Sequence, residues 1–82
     1  MNKTVARAKE LQTADYKGYL PELEVGEEVE MDDLWDGNGD IPEESFSIQL
    51  DDMNWINYVF DVLEEKENPL DTVIKITSID LI

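Results

Sequence analysis

The sequence predicts a small α+β domain in which an antiparallel β-sheet is joined by a short N-terminal helix. Three observations carry this. Large apolar residues concentrate in 45–82, where Phe46, Ile48 and Leu50 alternate with polar neighbours. Two further runs, 55–63 and 72–82, are rich in β-branched and aromatic residues, the composition of half-buried strands. A loop containing Asn68 and Pro69 separates them. Strands near 45–50, 55–63 and 72–82 follow, with an edge strand over 23–31. At 82 residues the chain is one domain, because a chain this short buries only about 60–65% of its unfolded surface and cannot divide that between two cores.

Taken in order, residues 4–14 read as a short helix, with Thr4 as N-cap and Val5, Ala8, Leu11 and Gln12 near one face. The apolar stripe is thin, so the helix depends on packing against the sheet. Gly18 and Pro21 end it, and Tyr16, Tyr19 and Leu20 are expected to anchor the following segment. In 23–31, Leu23, Val25, Val29 and Met31 share one phase across Gly26, giving an edge strand or two short strands with a glycine bulge. Glu24, Glu28 and Glu30 then form an outward acidic row, which also discourages strand-to-strand aggregation. Residues 32–44 are loop by composition, attached to the core by Leu34, Trp35 and Ile41.

Residues 51–68 admit two readings. As a helix, capped by Asp51 or Asp52, they would turn Trp55, Ile56, Val59, Phe60 and Leu63 inward. As a strand, they align Ile56, Tyr58, Phe60 and Val62 on one face, and the residue types favour this reading. Residues 51–54 then become a turn. In the last strand Ile74 and Ile76 share one phase while Ile79 and Leu81 share the other, so a bulge near Thr77 and Ser78 is needed to restore a single buried face. The expected core is Phe46, Ile48, Tyr58, Phe60, Ile74 and Ile76.

Charge is the extreme feature: 21 acidic against 6 basic residues, a net of −15. It is unevenly placed. Residues 1–17 hold Lys3, Arg7, Lys9 and Lys17 against Glu10 and Asp15, a balance of +2. Residues 18–82 hold only Lys66 and Lys75 against 19 acids, a balance of −17. Such a surface is repelled by DNA, RNA and anionic membranes and is drawn to basic surfaces. There is no Cys and no His, which removes the thiolate nucleophile and the usual general base near neutral pH. The composition suits an intracellular protein. The first ten residues lack the apolar run of a signal peptide, and no segment reaches the roughly 20 apolar residues of a membrane span. The expectation is a soluble cytoplasmic protein.

Three features of the sequence bear on chemistry. Asp36, Asn38 and Asp40 match the 1, 3 and 5 positions of a calcium loop, but position 6 is Ile41 and position 12 is Ser47, where glycine and glutamate are required. Shifting the frame to put Gly37 at position 6 and Glu43 at position 12 leaves Leu34 at a ligand position. No metal site or cofactor is therefore expected. Adjacent acids recur at Glu27-Glu28, Asp32-Asp33, Glu43-Glu44, Asp51-Asp52 and Glu64-Glu65. A glycosidase, however, needs two carboxylates facing across a sugar cleft, one of them in an apolar pocket, and no phosphate-cradling loop or nucleophile elbow is present. The expectation is a non-enzymatic protein. Trp35 and Trp55 suit a small core. Trp35, set among Asp32, Asp33, Asp36 and Asp40, is also a candidate aromatic anchor at an interface.

In size, acidity, absence of Cys and His, and compact sheet, the chain resembles the small inhibitors that phages and mobile elements direct against host nucleases, such as anti-CRISPR and anti-restriction proteins. That resemblance is compositional and spans the chain without a specific motif. It implies a non-enzymatic inhibitor whose partner is the basic surface of a nucleic-acid-binding protein or complex, with the acids imitating nucleic-acid charge. The resemblance carries over no contact residue; the placement of charge and of Trp35 in the sequence gives as candidates Glu27, Glu28, Glu30, Asp32, Asp33, Trp35, Asp36 and Asp40 in one group, with Glu43, Glu44, Asp51 and Asp52 in a second. The alternative is a structural or adaptor protein with a generic acidic coat that recognises its partner through an apolar patch, and a minor alternative is a calcium-binding loop protein built on Asp36, Asn38 and Asp40.

Overall fold

The computed structural model describes residues 2–16, 20–37 and 39–82. Helix α1 (Lys3–Leu11) is followed by β1 (Glu28–Glu30), the single-turn helix α2 (Met31–Leu34), β2 (Ser45–Gln49), β3 (Trp55–Glu64), a 3-10 turn (Pro69–Asp71) and β4 (Val73–Leu81). The four strands form one antiparallel sheet in the order β1-β4-β3-β2. The expected α+β class and its three main strands are present, and 23–31 contributes an edge strand.

Residues 55–64 are strand, not helix. Ile56, Tyr58 and Phe60 fall on one face and are buried, opposite Leu81, Ile79 and Ile76 in register. Asp51, an N-cap in the helical reading, instead closes the β2–β3 turn, where its carboxylate accepts from the backbone N–H groups of Met53 and Asn54, each at 2.7 Å. The phase change in the last strand is resolved as expected. Val59 pairs with Ser78 and Phe60 with Ile76, leaving Thr77 as the extra residue, and its hydroxyl donates to the Val59 carbonyl at 3.2 Å. Ile74, Ile76 and Ile79 are thereby all buried. A second irregularity lies between Val62 and Glu64.

One face of the sheet is covered. Val5 and Ala8 of α1, Leu23, and Met31 and Leu34 of α2 close over it with Leu50, Ile56, Tyr58, Phe60, Ile74, Ile76 and Ile79. The Tyr58 hydroxyl, in the middle of this core, donates to the Pro21 carbonyl at 2.8 Å, which satisfies a buried polar group and pins the 20–23 segment over the sheet. Phe46 and Ile48 are half-buried against this core.

Several local expectations are corrected. The first helix runs from Lys3 to Leu11 and its N-cap is Asn2, whose side-chain carbonyl accepts from Thr4 at 2.8 Å and Val5 at 3.2 Å. Asn and Thr are both cap formers, and Asn2 places Val5 and Ala8 inward. The edge strand is three residues long rather than nine, because Gly26 takes φ +92° in a turn that Glu27 closes by donating its N–H to the Glu24 carbonyl. A positive φ suits glycine and ends the extended run, so Val25 points to solvent while Leu23 is buried. Met31, read as the end of the edge strand, and residues 32–34, read as loop, form α2, with acidic Asp32 and Asp33 in its first turn, where the helix dipole favours them. The Asp33 side chain reaches back to the Glu30 N–H at 3.2 Å. Leu34, Trp35, Ile41 and Leu20 attach to the core as expected, Tyr16 is half-buried, and Tyr19 lies outside the described residues.

Candidate functional site

The uncovered face of the sheet has a charge-rich end and a remainder of mostly uncharged polar residues. On β1, Val29 faces the core, so Glu28 and Glu30 face outward, about 6.6–6.8 Å apart along the strand. Register places Glu28 beside Lys75 and Lys75 beside Asp61, and it places Glu30 and Glu64 on either side of Val73. Further along, Ser45, Ser47, Asn57 and Ser78 make the face polar without charge, and the Ser47 hydroxyl donates to the Asn57 side-chain carbonyl at 2.7 Å. Asp80 is the acid of this stretch, accepting from the Ser78 hydroxyl. Acids thus gather where β3 ends and β4 begins. Lys66 marks the place: its ammonium donates to Glu64 at 2.8 Å. Its pKa is raised, first by that bond and the charge of Glu64, then by the charges of Asp71 and Glu30.

The twelve residues proposed from sequence divide by what their side chains already do. Glu27 accepts from the Glu24 N–H at 3.0 Å and Asp33 from the Glu30 N–H, so both brace local turns. Asp51 is bound by Met53 and by both the backbone and side chain of Asn54. The Asn54 side chain, followed by the Met53 N–H, holds its pKa below the usual carboxylate value. Asp52 accepts from the Tyr16 hydroxyl at 2.9 Å, and this bond together with the Asp52 charge raises the phenol pKa. These four shape the chain. Glu28, Glu30, Asp32, Asp36, Asp40, Glu43 and Glu44 are exposed, as are Glu27, Asp33 and Asp52, and Glu30 shares the α2 capping box with Asp33.

The two sequence groups do not survive folding as groups. Glu44 sits at the start of β2, its carbonyl accepting from the Phe60 N–H at 3.0 Å, which brings Glu43 and Glu44 to the β3 exit. Asp51 and Asp52 lie beyond the far end of β2, about 20 Å from Glu44 at the rise of the intervening strand. Asp61, Glu64 and Glu65 join the acidic end and were not among the sequence candidates. The alternation that turns Tyr58 and Phe60 inward already turns Asp61 outward, so that residue was legible. Trp35, the expected aromatic anchor, is half-buried and packed on the core, whereas Trp55 is 40% exposed.

At the acidic end lies an open groove of about 650 Å³, lined by Met31, Ile41, Pro42, Glu43, Glu44, Val62, Glu65, Lys66, Pro69 and Thr72. Its wall is held by Thr72, whose carbonyl accepts from the Met31 N–H at 2.9 Å and whose hydroxyl accepts from the Lys66 N–H at 3.3 Å. Val62, on the core side of β3, is 43% exposed here.

The Asp36 to Asp40 segment has positive φ at Gly37 (89°) and Gly39 (71°), and Asn38, the middle oxygen donor of the calcium pattern, lies outside the described residues. Among the described residues, no three carboxylates are grouped to hold a metal ion, and no helix is long and apolar enough to cross a membrane. Compared with known proteins, the chain matches no family model, no curated protein and no solved structure.

Proposed function

We propose that the protein is a non-enzymatic acidic inhibitor that occupies the basic nucleic-acid groove of a host nuclease or CRISPR-type complex, presenting carboxylates where the partner expects phosphates. One observation supports this most: β-sheet register and the β2 and β3 ends gather Glu28, Glu30, Glu43, Glu44, Asp61, Glu64, Glu65 and Asp71 at one end, with Lys66 and Lys75 among them. Much of the opposing charge is kept elsewhere. Lys3, Arg7 and Lys9 belong to α1, which packs on the covered face, where Arg7 pairs with Glu10 at 2.9 Å and Lys9 with Glu22. An acid-rich end on a chain of net −15 raises the encounter rate with a Lys/Arg-lined groove and suppresses contact with nucleic acid itself. The absence of Cys and the nature of such partners fit action in the cytoplasm.

The test is competition on a partner recovered by affinity capture and purified. A mimic displaces DNA or RNA from that partner, and its binding weakens as salt rises. A ternary complex with nucleic acid still in the groove, or full affinity after reversing Glu28, Glu30, Asp61 and Glu65 together, would reject mimicry in favour of an adaptor.

A further inference from the structure

The groove at the β3 exit adds an apolar element to the acidic end. Its floor is Met31, Ile41 and Val62, and its rim bears Glu43, Glu44 and Glu65. Val62 is the informative residue. It continues the row of Ile56, Tyr58 and Phe60, which are 0%, 0% and 3% exposed, yet it is itself 43% exposed. Lys66, the cation at the rim, is already paired with Glu64, so the three rim carboxylates set the sign of the opening. A second copy of this chain fits poorly, since each copy carries −15 and would bring like charge to like.

We infer that this groove seats one aliphatic side chain from a basic segment of a protein partner, with Lys or Arg on either side of that anchor meeting Glu43, Glu44 and Glu65. The inference rests on the proposed attraction to a basic partner and deepens it. Charge brings the segment in, and burial of the anchor against Met31, Ile41 and Val62 selects among basic segments that charge alone treats alike.

The experiment is a heteronuclear NMR titration of the intact protein at about 150 mM salt, a level that screens diffuse attraction. The probes are two capped peptides, Arg-Lys-Leu-Lys-Arg and Arg-Lys-Gly-Lys-Arg. The leucine peptide is expected to bind about fivefold or more tightly than the glycine peptide, in line with partial burial of one leucine. Its shifts should concentrate in 41–44, 62–66 and 69–72. Val62→Asp should weaken the leucine peptide although it adds negative charge, and Val62→Thr, which keeps the β-branch, should weaken it less. Equal affinity and equal shift patterns for the two peptides would overturn the groove and leave the charge reading standing. Absence of binding by either peptide, even at low salt, would overturn both. Sedimentation showing a dimer that Val62→Asp dissociates would assign the groove to a second copy and overturn the inference.

Discussion

Along its covered face, β3 is closed at one end and open at the other, and the difference separates what folds the protein from what it offers to a partner. Ile56, Tyr58 and Phe60 are sealed by α1, by Leu23 and by the Tyr58 bond to Pro21. Val62, two residues beyond Phe60, meets no such cover and sits in a groove rimmed by Glu43, Glu44 and Glu65. The sequence treats the four residues alike, as one alternating apolar row. Tertiary structure makes three of them core and leaves the fourth as a contact surface.

Substitution at the closed end should have the largest effect. Ile76→Ala and Ile56→Ala remove fully buried side chains and should each lower stability by about 2–5 kcal/mol, measured by denaturant unfolding. Val62→Thr at the open end should stay within about 0.5 kcal/mol. A cost at Val62 equal to that at Ile56 would erase the distinction between the ends.

Tyr58→Phe sharpens the same comparison. It leaves the Pro21 carbonyl without its 2.8 Å donor while keeping the ring, so the expected loss is about 1–3 kcal/mol. Proteolysis or hydrogen exchange should show it as loosening of 20–23 over the sheet.

A helix cap and a turn come next. Asn2→Ala removes the acceptor for two backbone N–H groups of α1 and should cost about 0.5–2 kcal/mol, visible as reduced protection at Thr4 and Val5. At the β2–β3 turn, the folded state lowers the Asp51 pKa through the Asn54 side chain and the Met53 N–H. A carboxyl whose folded pKa lies below its unfolded value stabilises the fold above the unfolded pKa, and that contribution is lost as pH falls through the folded pKa. The melting-temperature gap between the natural chain and Asp51→Asn should therefore be present at pH 7 and shrink below about pH 4. A gap that widens on acidification would contradict the turn geometry.

Much of the sheet could be read before folding, because its signals are local. The alternation through Tyr58 and Phe60 identified β3 against a helical competitor, and the phase change between Ile76 and Ile79 required the bulge found at Thr77. Errors arose where two local signals were equivalent or one was overruled. Asn2 and Thr4 are both cap formers, and the apolar phase of Leu23 and Val25 was broken by the Gly26 turn. The α2 turn was hidden because Asp32 and Asp33 read as loop residues until their place at a helix start is known. The acidic end was illegible for a different reason. Glu30 and Glu64 are far apart in sequence and come to either side of Val73 only through β-pairing, while Asp51 and Asp52, members of the second acidic group, are carried away from Glu43 and Glu44 by the length of β2.

The most direct test of the account combines its two halves in one displacement assay. Fluorescent DNA or RNA is bound to a purified nucleic-acid-binding partner, and the natural chain is compared with the triple variant Glu43→Lys, Glu44→Lys, Glu65→Lys at matched thermal stability. The natural chain is predicted to release the nucleic acid in a salt-sensitive way, and the variant to release about tenfold less or none at equal concentration. Equal release by the two proteins, or stable co-occupancy of the partner by the natural chain and the nucleic acid, would contradict it.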